Sequence, residues 1–154
     1  MRESLAVINT LLVEIFNDIL TIEESALKAG QFTDISVTEI HTIEKIGMYE
    51  PKSMGEVAKA LGVTVGTLTV AVNNLVKKGY VERFRIPTDR RIVQIGLTKK
   101  GRLIYRLHEK FHIDMVESSI DGLSKEEEII LREALEKLHS FLYQKYLAGE
   151  EENQ

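Results

Sequence analysis

Residues 63–101 read VTVGTLTVAVNNLVKKGYVERFRIPTDRRIVQIGLTKKG, and the period of their side chains changes twice along that run. Leu68, Val72, Leu75 and Val76 fall at threes and fours, the spacing of one helical face. Thr64 caps that helix and Gly79 stops it, with Lys77 and Lys78 in the last turn, where the macrodipole favours cations. After Gly79 the period becomes two: Val81, Arg83 and Arg85 alternate with Glu82, Phe84 and Ile86. Pro87-Thr88-Asp89-Arg90 is turn chemistry, residues 91–97 alternate again, and Thr98 caps a new helix. The reading is helix, β-hairpin, helix.

Upstream, Ser53-Met54-Gly55-Glu56 is a capping box opening the short helix MGEVAKAL, which Gly62 ends. Joined to the next helix by a tight turn, it makes a helix-turn-helix. A second box, Ser36-Val37-Thr38-Glu39, opens a helix that runs to Gly47. Leu5, Ile8, Leu12, Ile15, Ile19 and Ile22 form a heptad-like seam on a long first helix, with Glu14, Asp18, Glu23 and Glu24 off it. Downstream, Leu103, Leu107 and Phe111 share a face, Ser124 and Glu127 make a third box, and Leu131, Leu135, Leu138 and Leu142 line a last helix. A helix cannot bury such seams against nothing, so they call for a partner subunit. The expected fold is mainly α with a small β-hairpin wing: a winged helix-turn-helix over residues 35–111, including a connecting helix. Residues 1–30 and 112–148 are the expected dimerisation helices, and the whole is one intertwined domain.

Charge is unevenly placed. The chain carries a formal −4, yet residues 64–110 hold 11 Lys/Arg against 3 Asp/Glu, while both flanks are acidic. Phosphate is bound by local positive charge, so the net sign does not argue against a nucleic-acid partner. With no cysteine, disulfides and thiolate metal sites are excluded. No stretch reads as a signal peptide or as the ~20 apolar residues of a bilayer span, so a cytoplasmic location without membrane contact is expected. Residues 150–154 read as a frayed charged tail. There is no Gly-rich phosphate loop or nucleophile elbow, so the chain does not read as an enzyme.

On the face opposite Leu68 and Val72, Val65, Thr67, Thr69, Asn73 and Asn74 offer short neutral side chains, and Gly66 permits close backbone approach. Asn can pair bidentately with adenine, and Thr or Val methyls suit thymine, so double-stranded A·T-rich DNA is the expected partner. Arg90 and Arg91 sit at the hairpin turn, one for a narrow minor groove and one for phosphate, with Asp89 to orient an arginine. Lys77, Lys78, Arg83 and Arg85 read as phosphate contacts or solvated charges.

The element order, with Asp89-x-Arg91 followed after five residues by Leu97-Thr98, resembles the MarR family of bacterial regulators along roughly the whole chain. That resemblance implies a homodimer with intertwined terminal helices, the fourth helix in the major groove, and Arg91 of the wing in the minor groove. The runs Glu39-Ile40-His41-Thr42-Ile43, Asn73-Asn74-Leu75, Asp89-Arg90-Arg91 and residues 97–104 (LTKKGRLI) resemble most the repressors of fatty-acid synthesis in Gram-positive bacteria. This implies a repressor with long-chain acyl-acyl carrier protein as corepressor and no required cofactor.

Lys99, Arg102, Arg106 and Lys110 step by three, four and four along one helix face, a basic stripe suited to an acidic carrier protein or to phosphate. An acyl chain would need an apolar tunnel, for which Ile15, Phe16, Ile19, Ile40, Leu103 and Leu107 are the candidates. A competing effector is zinc. His108 and His112 stand at i, i+4, and Glu24, His41, His108 and His112 resemble the Glu/His₃ set of the family's zinc-sensing branch. The third alternative is a winged-helix interaction protein that binds no DNA.

Overall fold

The structure, a computed structural model, describes residues 2–148, so the charged tail at 150–154 lies outside it. The chain divides into two compact units, one ending at Phe111 and the other beginning at His112. In order, the elements are α1 (Arg2–Ala29), α2 (Val37–Ile46), β1 (Lys52–Ser53), α3 (Met54–Leu61), α4 (Val65–Lys77), β2 (Val81–Ile86), β3 (Asp89–Leu97), α5 (Lys99–Ile120) and α6 (Lys125–Leu142). A single π-helical turn, Tyr143–Leu147, follows α6.

The helix starts are chemically explicit. Ser36, Ser53 and Ser124 each accept from the backbone N–H three residues on, while Glu39, Glu56 and Glu127 accept from the capping serine's own N–H. Each box thereby satisfies two otherwise orphaned donors. Thr64 accepts from Thr67 N–H at 3.1 Å and opens α4. Gly62, in the left-handed region at φ +67°, makes the sharp turn between α3 and α4.

In the first unit, Leu27 of α1, the inner faces of α2, α3 and α4, and the root of the sheet share one core. Ile40, Ile43, Ile46, Val57, Val72, Leu75, Tyr80 and Ile95 are fully buried there. The sheet is antiparallel with order β1-β3-β2. Two-residue β1, paired with Gln94 and Ile95, is an element the sequence pattern did not announce, since two residues carry no period. The hairpin is buried only at its root, at Val81, Ile95, Gly96 and Leu97, and the Phe84 ring lies over Gly96.

The root of the hairpin is pinned. Thr98 Oγ1 donates to the Gly79 carbonyl at 2.6 Å and accepts from Gly101 N–H at 3.1 Å. Thr98 N–H donates to Tyr80 O at 3.0 Å. One hydroxyl therefore joins the end of α4 to the start of α5. The buried face of α5 runs through Gly101, Ile104 and His108, whereas Leu103 and Leu107 face solvent.

α1 carries its seam outward: Leu5, Ile8, Leu12, Ile15, Ile19 and Ile22 are all exposed. It also corrects one expectation. Residues Glu3–Ala29 are long and apolar enough, by length and composition, to cross a membrane, with mean hydropathy 1.7 in their best window. The acidic residues of α1 are spaced widely enough to leave such a window, which a search for an unbroken apolar run misses. In the second unit, α6 presents Ile130, Leu131, Leu135 and Leu142 to solvent.

Candidate nucleic-acid interface

α4 turns Leu68, Val72 and Leu75 into the core. Val65, Gly66, Thr67, Asn73 and Asn74 are exposed and Thr69 is half-buried. Two of the threonines are partly occupied. Thr64 Oγ1 donates to Thr67 Oγ1 at 3.0 Å, and Thr69 Oγ1 donates to Val65 O at 2.7 Å. At 100° per residue, Val70 faces almost directly away from the core, and it is 63% exposed. Sequence reasoning passed over it because it belongs to neither the apolar seam nor the polar set. The signal was available: an apolar residue in antiphase with a buried face has a reason to be there.

The wing is built from a register break. Ile86 pairs with Asp89 across the Pro87-Thr88 turn, while Arg85 pairs with Val93. Residues 90–92 are thus extruded as a bulge, and β3 begins two residues earlier than the alternation suggested. Arg85 Nη1 donates to the Arg90 carbonyl at 2.6 Å and holds that bulge. Asp89 accepts from Arg91 three times: backbone N–H and Nε at 3.0 Å on Oδ1, and Nη2 at 3.1 Å on Oδ2. These bonds hold the Asp89 carboxyl below its usual value, the side-chain pair contributing most, and Asp89 raises the guanidinium in turn. Arg91 is nonetheless 91% exposed, a fixed cation on a projecting tip.

The other basic residues separate into two groups. Lys78 is a structural cation: its Nζ donates to both Glu39 oxygens, at 2.9 and 2.8 Å, and to the Asp34 carbonyl. Its expected phosphate role is corrected accordingly, because Glu39 is buried and needs that charge. Arg83 Nη2 donates to Asn73 Oδ1 at 2.5 Å. Lys77 and Arg90 are exposed. Of the basic stripe, Lys99, Arg106 and Lys110 are exposed, while Arg102 is half-buried and donates to Leu97 O at 2.8 Å. The six proposed tunnel residues differ in burial. Ile40 lies at the heart of the core on the inner face of α2, whereas Ile15, Phe16, Ile19, Leu103 and Leu107 are exposed.

The acidic residue of α1 that meets His41 and His108 is Glu23, and this corrects the expectation for Glu24. Glu23 shares the inward face of α1 with Leu27, while Glu24, one residue and 100° on, is exposed. Glu23 Oε1 lies 2.9 Å from His41 Nε2 and 2.9 Å from His108 Nε2. Glu44 Oε1 is 3.3 Å from the same His108 nitrogen. Glu23 and His108 are buried and His41 is half-buried, with one ligand atom from each within 4.8 Å of the others. Two imidazoles and a carboxylate form a donor set that suits zinc chemically. His112 lies on α5 as the first residue of the second unit.

Comparison with known proteins places this geometry. The family model described as "MarR family" matches residues 35–93. The solved structure of Streptococcus pneumoniae FabT in complex with DNA is similar at 49% identity and TM-score 0.86, over 90% of this chain and 97% of that one. The Bacillus subtilis HTH-type transcriptional regulator PchR is 30% identical over 70% of this chain. The match spans 65% of that relative's length, just under two thirds. A MarR family protein from Bacillus stearothermophilus, 20% identical with TM-score 0.77 over 92% of this chain and 97% of its own, shares the fold.

Proposed function

We propose, since the chain belongs to the MarR family of transcriptional regulators, that it is a cytoplasmic DNA-binding repressor of fatty-acid synthesis genes. It acts as a homodimer on an A·T-rich palindrome, with long-chain acyl-acyl carrier protein as corepressor. The observation that carries the DNA reading is the wing, where Asp89 holds Arg91 as an exposed cation beside a helix whose outer face is neutral. The likeness to a FabT bound to DNA supports the repressor branch. The exposed seams of α1 and α6 support the dimer, and acidic residues within α1 favour that use of the helix over a bilayer span. In each subunit, α4 would lie in the major groove and Arg91 in the minor groove. The stripe Lys99, Arg106, Lys110 would meet the acidic carrier protein.

The test is a gel-shift titration on an A·T-rich palindrome from a fatty-acid-synthesis promoter, with chelator, and with acylated or bare carrier protein. Tighter binding with the acylated carrier alone supports the corepressor. Equal binding under all three conditions overturns it and leaves the DNA reading standing. Failure to shift that palindrome above random duplex overturns the DNA reading.

A second reading, a zinc-responsive regulator, is favoured by one observation, the convergence of Glu23, His41 and His108. Bound zinc would take the two imidazoles in their neutral form and the carboxylate. Calorimetric titration of zinc into wild type and His108→Ala tests it. Equal heats in both would remove the site.

A further inference from the structure

α4 holds one apolar side chain for which the fold has no use. Val70 is 63% exposed. It lies two residues after buried Leu68 and two before buried Val72, about 160° around the helix axis from each. Val63 and Val76 pack against the edge of the core, whereas Val70 points away from it. Helix propensity does not favour it either, since a β-branched side chain is a weaker helix former than Ala. A single exposed valine is ordinary on a solvated helix face, where it stands among charges. The face around Val70 is different. α4 reads VGTLTVAVNNLVK and carries no charge before Lys77, in a chain that is 29% charged. Gly66, one turn before Val70, has no side chain, and Asn73 and Asn74, one turn after, are neutral. Such a surface loses no ionic hydration when a ligand covers it.

We propose that Val70 is a specificity-determining residue that selects thymine through its 5-methyl group. This rests on the DNA reading above, with α4 in the major groove. Base-pair edges there present hydrogen-bonding atoms and a single apolar group, the C5-methyl of thymine. An isopropyl group neither donates nor accepts. Set over N7 of a purine, or over the N4 donor of cytosine, it strips water from a polar atom and returns no bond. Set over thymine, it buries one methyl against another, and that contact is worth about fourfold in affinity for each half-site. The selection is by shape and apolar contact, and so is separable from any hydrogen bond that Asn73 or Asn74 makes.

Uracil isolates the methyl, because it lacks that group and keeps every hydrogen-bonding atom of thymine. The probe is a duplex selected by the wild-type protein from a random-sequence pool, with the thymines of one half-site replaced by deoxyuridine one at a time. Wild type and Val70→Ala are titrated against each duplex by fluorescence anisotropy. The expected result is a position at which uracil weakens wild-type binding about fourfold and leaves Val70→Ala binding unchanged. At that same position, 5-methylcytosine should bind wild type more tightly than cytosine does, and Val70→Ala equally. An effect of uracil on duplex shape is shared by both proteins and cancels in the comparison. If uracil weakens the two proteins alike at every position, or weakens neither, the inference is overturned and the DNA reading stands. If the pool yields no duplex bound above random sequence, both fall together. Ala is the better helix former and Val70 is exposed, so Val70→Ala should melt no lower than wild type, and a binding change is not a folding change.

Discussion

The Tyr80 phenol donates to Asp34 Oδ1 at 2.5 Å across 46 residues of chain, tying the segment after α1 to the residue where α4 gives way to the wing. The ring is fully buried, meets Phe32 edge-on at 5.9 Å, and carries Lys100 Nζ 4.2 Å above it. The bond holds the Asp34 carboxyl below its usual value, while burial, followed by the bond to Asp34, pushes the phenol up. For Asp34, a lowered folded value means stability present above the unfolded value of 3.8 and lost as pH falls through the folded one. For Tyr80, a raised value means stability present below 10.0 and lost as pH rises beyond it. Tyr80→Phe should cost about 1 kcal/mol on the plateau between those limits. Urea unfolding from pH 3 to 11 checks this: the gap between variant and wild type should narrow toward both extremes, and a constant offset would contradict the linkage.

At the wing tip, Arg91→Ala should weaken specific DNA binding by about tenfold or more and lower the salt slope by about 1. Asp89→Asn should leave nonspecific binding unchanged or slightly stronger, one negative charge having gone, yet weaken specific binding severalfold because the guanidinium loses its anchor. Fluorescence anisotropy with specific and random duplexes separates the two. Neither variant should alter the melting temperature by more than a degree or two, both side chains lying outside the core.

Glycines at two helix starts should respond oppositely to alanine. A Cβ at Gly101 would sit 2.1 Å from the Tyr80 carbonyl oxygen, a backbone atom that cannot swing aside. Gly101→Ala should therefore destabilise by about 3 kcal/mol, the upper end of overpacking costs. A Cβ at Gly55 meets only Ser53 Oγ at 4.0 Å, so Gly55→Ala should stabilise by about 0.5–1 kcal/mol through helix propensity. Thermal melts of the two variants give the comparison directly.

Gly66 separates folding from binding. A Cβ there finds nothing nearer than Thr64 Oγ1 at 3.8 Å, and Gly66→Ala should raise stability by about 0.5–1 kcal/mol. If the backbone of α4 approaches DNA closely at this point, the same methyl should weaken specific binding. A variant that melts higher and binds unchanged would show that no close approach occurs.

Helix starts were the most legible part of the sequence, because a capping box is a chemical instruction confined to four residues. Ser36, Ser53 and Ser124 each form the box their sequence describes. The hairpin was legible in kind, but not the bulge at residues 90–92, since a three-residue register shift leaves the alternation on either side intact. Glu23 and Glu24 were indistinguishable for a related reason: adjacent acidic residues differ only by helix phase, which Leu27 alone fixes in this stretch. Lys78 looked like surface charge because its partner Glu39 is 39 residues away. Val70 was missed by asking which polar groups could face a ligand, when an outward position on α4 is apolar.

The holds on the hairpin lie in its root half, where β1 pairs with Gln94 and Ile95 and Arg83 reaches Asn73. Thr98, Gly79 and Tyr80 clamp its root, and the six residues of β2 carry the tip roughly 20 Å away at ~3.3 Å per residue. It is a cantilever: a tilt of about 10° at the clamp would swing Arg91 by roughly 3 Å, comparable to half the width of a minor groove. A displacement too small to disturb the packing around Thr98 would be enough, at the far end of that lever, to carry the guanidinium into register with a groove or out of it.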